Sequence, residues 1–142
     1  MKRILVGFDG SDQSRRAARL GAEMASATGA AVTLTEVVPQ LLIPGDAAGM
    51  MTAELMARDH QLAAEHLTAA AAELRAGGRP LEVTTEVLEG SPPAEMARAA
   101  NEDPEVELVI VGRSGKGAIQ RAILGSVASR LAHACTKPVM IV

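Results

Sequence analysis

Continuous apolar runs alternate along this chain with stretches whose apolar residues recur every three or four positions, the signatures of buried strands and one-sided helices. Ile4-Leu5-Val6-Gly7-Phe8 is the first run, and it stops at Asp9-Gly10-Ser11-Asp12, residue types that cap helices. Ala17, Leu20, Gly21, Met24 and Ala25 then follow helical spacing, and Gly29 closes that helix. Ala31 to Val38 is apolar and β-branched, a second strand halted by Pro39. From Pro39 to Gly49 two prolines and two glycines predict a loop. A long helix is expected from about Met51 to Ala76, burying a stripe of Leu55, Leu62, Ala63, Leu67, Ala70 and Leu74, with Gly77-Gly78 ending it. Leu81, Val83, Thr85 and Val87 alternate with Glu82, Thr84 and Glu86, the period of a half-exposed strand at a sheet edge. Ser91-Pro92 starts a helix, Leu108 to Val111 is a fully apolar strand, Ser126 to Cys135 a last helix and Val139 to Val142 a last strand.

Alternation of this kind, with short connections and mostly apolar strands, predicts a doubly wound α/β domain. Its parallel sheet must be covered by helices on both faces. No repeat or linker interrupts it, so residues 1–142 are read as one domain. A chain of this length buries roughly 68–70% of its unfolded surface. Hydrophobic residues make up 48% of the sequence, but aromatics only 1%, with Phe8 the sole ring. A base bound here would therefore lie against aliphatic side chains. The net charge of −3 argues against a general nucleic-acid binder, which needs clustered cations. Cys135 stands alone, which rules out an intramolecular disulfide, and its apolar setting predicts a buried thiol. The start, Met1 to Gly7, lacks a signal peptide's apolar stretch, and no window approaches the ~18 apolar residues of a membrane span. The expectation is a soluble, cytoplasmic protein with no membrane association.

In open parallel sheets, ligands sit beyond the carboxyl ends of the strands where the winding reverses. Those ends carry Gly7-Phe8-Asp9-Gly10-Ser11 and Gly112-Arg113-Ser114-Gly115-Lys116-Gly117. Gly112, Gly115 and Gly125-Ser126 have the spacing G-x2-G-x9-G-S. Gly112 and Gly115 would let the backbone approach an anion, and Gly125-Ser126 would present the amides of a helix start. Arg113, Lys116 and Arg121 supply cations nearby, so a triphosphate is the natural occupant. The plainer alternative is that the glycines only turn a strand into a helix and Ser126 only caps it. Asp9 likewise has an alternative as a helix-proximal cap. His60 and His66 are read as surface or packing residues, and the two-residue offset of His133 from Cys135 argues against a dyad.

Gly112-x2-Gly115-x9-Gly125-Ser126 resembles the ATP-binding signature of the universal stress protein family. The likeness extends from Ile4-Leu5-Val6-Gly7-Phe8-Asp9-Gly10-Ser11 to Pro138-Val139-Met140-Ile141-Val142. It implies a five-stranded Rossmann-like parallel sheet in the order 3-2-1-4-5. It also implies bound ATP, with ADP and AMP as alternatives, together with Mg²⁺. Asp9 would meet the ribose and phosphate side, with Gly7 allowing close approach. Val37 matches the position whose backbone faces adenine. Gly112 and Gly115 would line ribose and phosphates above Val111, and Gly125, Ser126 and Val127 would hold the phosphates. Val139 to Val142 resembles the family's dimer strand, which implies a homodimer. The resemblance implies a nucleotide-dependent stress regulator, its protein partner unknown.

Glu36 stands where many members have histidine, and the Pro39 to Met51 loop has no family signature. Gly125→Val is expected to block binding without unfolding the domain. Two other classes remain open. One is a slow ATPase or phosphotransferase, against which stands the missing G-x4-G-K-[ST] loop. The other is a nucleotide-independent interaction module.

Overall fold

The structure, a computed structural model, describes residues 1–40, 45, 48–114 and 124–142. Nine elements alternate in order: β1 (Arg3–Gly7), α1 (Asp12–Thr28), β2 (Ala31–Val38), α2 (Ala48–Arg75), β3 (Val83–Glu89), α3 (Pro92–Glu102), β4 (Val106–Val111), α4 (Ser126–Ala134) and β5 (Val139–Ile141). All strand pairs are parallel, and the sheet order is β3-β2-β1-β4-β5. The chain winds outward from β1 in one direction and then, through β4, in the other. This is the doubly wound α/β sheet expected from the alternation, and its reversal point lies between β1 and β4.

The period of two along each strand divides the core into two layers. Ile4, Val6, Val32, Leu34 and Ile110 face α1 and α2, where they pack with Ala17, Ala18, Ala25, Leu67, Ala70 and Ala71. Leu5, Val109 and Val111 face α3 and α4, meeting Met96, Ala97, Ala100, Ala128 and Leu131. Both central strands are buried on both faces, which is why their sequences are apolar without alternation. Gly21 shows how tightly α1 seats: a Cβ there would come within 2.9 Å of Val6 Cγ2. Gly29 ends α1 in the left-handed conformation at φ 74°, its amide bonded back to the Ala25 carbonyl.

Three readings from the sequence need correction. The long helix begins at Ala48, so Ala48 and Gly49 belong to it rather than to the loop. A glycine in a first turn breaks little, because the first amides have no helical partner in any case. Leu55 and Leu62, expected inside, are 39% and 43% exposed, while Ala63, Leu67, Ala70 and Ala71 carry the contact. Close packing of an alanine face against the sheet leaves the larger leucines outside it. Cys135 is half-buried rather than buried, because it lies past the last turn of α4 as its C-cap. Leu41–Pro44, Asp46 and Ala47 of the Pro39 to Met51 loop lie outside the described residues.

Candidate functional site

At the carboxyl ends of β1, β2 and β4 the structure has a cleft of about 160 Å³. Its lining includes Gly7, Asp9, Val37, Val111, Gly112 and Val127, six of the nine positions singled out in the sequence. Gly125 and Ser126 lie next to Val127 at the start of α4 but do not line the cleft. Gly115, with Lys116 and Arg121, lies outside the described residues. A larger groove, about 620 Å³, runs between α1 and α2, but Arg15, Arg19, Glu23, Glu73 and Arg79 line it in mixed charge, away from the strand ends.

The β1–α1 turn forms one wall. β1 ends at Gly7, where a Cβ would crowd two side chains, at 3.0 Å from Val111 Cγ1 and 3.3 Å from Met96 Cε. Asp9 then accepts a bond from the Ser11 amide through Oδ1 at 2.9 Å, across Gly10 at φ 78°. Ser11 caps α1, its hydroxyl accepting from the Ser14 amide at 3.2 Å. Ser14, buried, donates its hydroxyl to the Ser11 carbonyl at 2.9 Å and accepts from the Asp9 amide at 3.3 Å. Asp9 therefore braces the capping residue Ser11 rather than capping α1 itself, and it also borders the cleft. Arg15 lies 5.9 Å over the Phe8 ring behind the turn.

The second wall comes from β2. Its pairing with β1 ends with Gly7 opposite Thr35, and the Phe8 amide adds a bond to the Thr35 carbonyl at 2.8 Å. Backbone groups alternate sides along a strand, so the amide and carbonyl of Val37 face where β1 has already turned away. Glu36, on the opposite face, is 3.7 Å from His66, and His60 is 3.3 Å from Glu89. These histidines thus join α2 to the ends of β2 and β3.

The β4 side is set by two glycines. A Cβ on Gly112 would lie 2.7 Å from Gln13 Cβ and 3.0 Å from the Gln13 carbonyl carbon. Close approach to α1, rather than to an anion alone, requires that glycine. Gly125 caps α4, and its amide bonds the Arg113 carbonyl at 2.8 Å. A Cβ on Gly125 would reach that carbonyl at 2.9 Å and Ser114 Cα at 3.2 Å. Gly125→Val would therefore shift backbone as well as fill space, and it is not the clean block expected from the sequence. Ser126 is the first residue of α4, not its cap. The cap of α4 makes no side-chain bond and no acid stands in its first turn, the arrangement in which a helix start can take an anion.

Sequence reasoning missed Thr35, Pro92 and Met96 in the lining. Thr35 read as an ordinary β-branched strand residue, and α3 carried no ligand signal. Among the described residues no three of His, Cys, Asp and Glu come together as a metal site.

Residues 1–142 match the model of the universal stress protein family. The chain belongs to that family. It is 31% identical to the universal stress protein MJ0531 of Methanocaldococcus jannaschii, over 99% of this chain and 81% of that one. Several mycobacterial universal stress proteins, including one from Mycolicibacterium smegmatis at 30% identity, are about twice as long, and the chain spans 47% of their length. Among solved structures, the universal stress protein UspA from Lactobacillus plantarum shares the fold with a TM-score of 0.89 at 23% identity, covering 99% of this chain and 97% of that one. A universal stress protein solved in complex with cAMP has a TM-score of 0.69 at 25% identity, with 99% and 95% covered. The universal stress protein fold thus accounts for the sheet order and for a cleft at its reversal point. Among the described residues no helix is long and apolar enough to cross a membrane.

Proposed function

We propose that the cleft binds an adenine nucleotide, ATP with ADP and AMP as alternatives, and that the chain acts as a nucleotide-dependent regulator in a stress response. The observation that carries this reading is the start of α4, with no side-chain cap and no acid in its first turn, beside a cleft lined by Gly7, Val37, Val111 and Gly112. Such a start offers unbonded amides and a positive dipole end to phosphate. Val37 offers a backbone amide and carbonyl to the hydrogen-bonding edge of a base, and aliphatic Val111, Val127 and Met96 offer its faces an apolar surface. Gly7 and Gly112 let Val111, Met96 and the start of α1 close in and give the cleft its shape. Asp9, held by the Ser11 amide, presents its carboxylate toward ribose and phosphates and is the acid nearest to hand for Mg²⁺. A relative solved with cAMP supports an adenine nucleotide as the ligand class. When bound, Mg²⁺ would neutralise phosphate charge that Asp9 alone would repel.

The strand β5, half-buried at one edge of the sheet, supports a homodimer through strand pairing, since an edge left open invites a partner strand. Hydrolysis is the second reading. The lining holds two carboxylates, Asp9 and Glu36, and Glu36 lies 3.7 Å from His66, which leaves Asp9 as the group to act on water in a slow turnover.

Calorimetry of the purified chain with ATP and Mg²⁺, with ADP release followed for several hours, tests the reading. Micromolar binding with negligible release is the expected result. Steady turnover abolished by Asp9→Ala would make the protein an enzyme, and the absence of binding would leave only an interaction module.

A further inference from the structure

The face of β2 turned toward α3 and α4 carries Thr33, Thr35 and Val37 in succession, and its two hydroxyls are treated differently. Thr33 Oγ1 meets Thr84 Oγ1 at 2.9 Å across the β2–β3 pair. Thr35 is 1% exposed, and its Oγ1 has no hydrogen-bond partner among the described residues. A buried hydroxyl without a partner carries a desolvation penalty that a valine of the same shape avoids. Packing alone therefore gives no reason for threonine here.

Position supplies one. Thr35 borders the cleft and stands in register with Gly7, whose missing side chain lets Val111 and Met96 close in as the apolar neighbours of that hydroxyl. Val37 lies two residues further along the same face, about 7 Å away. A ring system whose edge meets the Val37 backbone and which extends back into the cleft passes over Thr35. The neighbours on that floor, Val111 and Met96, are apolar. A hydrogen bond made there is shielded from water, so its loss should be measurable.

We propose that Thr35 is a further ligand-binding residue, whose hydroxyl donates a hydrogen bond to a ring nitrogen of the base held in the cleft. This rests on the nucleotide reading and adds to it a side-chain contact that distinguishes base from phosphate. It also makes the cleft sensitive to the base itself, because an analogue with carbon in place of that nitrogen would leave the hydroxyl unpaired.

Calorimetric titration of Mg·ATP into the whole chain, as wild type, Thr35→Val and Thr35→Ser, tests it. Thr35→Val should weaken ATP binding about 3- to 10-fold, the loss of one shielded hydrogen bond. Thr35→Ser should recover most of that loss. The thermal midpoint of Thr35→Val without nucleotide should equal or exceed that of the wild type, because only a desolvated hydroxyl is removed. One of 3-deaza-ATP and 7-deaza-ATP should lose the same factor on the wild type and nothing further on Thr35→Val. Equal ATP affinity in Thr35→Val, or undiminished binding of both analogues by the wild type, overturns the assignment and leaves the nucleotide reading standing. A lowered midpoint with an affinity loss that serine does not recover marks a packing role and overturns it too. If the wild type takes up no ATP, the nucleotide reading fails first and this contact falls with it.

Discussion

Three helices, α1, α3 and α4, begin beside the cleft, and the first and last of them begin differently. At α1, Ser11 caps through its hydroxyl, Asp9 takes the Ser11 amide, Ser14 closes the loop and Asp12 puts an acid in the first turn. At α4, Gly125 caps with no side-chain bond, and no acid follows. The two backbones present the same orphan amides and the same dipole. Side chains decide that α1 has used its own positive end, while among the described residues the cap of α4 leaves its own unused. A helix start is thus a site only when its own residues leave it unsatisfied.

The contrast can be broken most severely at Gly112, where β4 is pressed against the closed start. Gly112→Val would place side-chain atoms against Gln13 and Ser14 and should cost about 2–3 kcal/mol of stability, read by urea unfolding. A loss below about 0.5 kcal/mol would mean that β4 and α1 separate easily. Ser126→Pro sharpens the comparison at the open start. Gly125 already has φ −60° and ψ 153°, the conformation a residue before proline requires, and proline is favoured at the first helical position. The fold should survive, while loss of one amide and one hydroxyl lowers ATP affinity about tenfold or more in calorimetry. Unchanged affinity would remove α4 from the phosphate site. The smallest effect is expected for Ser11→Ala at the closed start, about 1 kcal/mol of stability from the lost cap. Its ATP affinity should change less than that of Ser126→Pro. The reverse order would transfer the phosphate to α1.

The strands were legible because burial on both faces leaves few options for residue type. Ala31 to Val38 ended where Pro39 said it would, and the strand read as Ile4 to Phe8 ended one residue earlier, at Gly7. The face of α2 was not legible, since alanines at Ala63, Ala70 and Ala71 carry the contact and hydrophobicity alone points to Leu55 and Leu62. The cleft was readable as a meeting of strand ends, from topology and the glycine spacing. The reason for Gly112 was not: a glycine needed against Gln13 looks the same in a sequence as one needed against a phosphate. Thr35 was invisible for a related cause. A β-branched residue in a strand is ordinary until the missing partner of its hydroxyl is known.

The edge strand adds a consequence of its own. The Val142 carbonyl accepts from the Arg113 amide at 2.7 Å, and the Val142 amide donates to Val111 at 3.0 Å. The residue after β5 is therefore stitched to the backbone on either side of Gly112, at the lip of the cleft. A second chain that pairs along the free edge of β5 would bond the outward groups of that strand, one residue from the bonds that fix this lip. Association and ligand uptake would then share one free-energy term, and by reciprocity each would shift the midpoint of the other by the same factor.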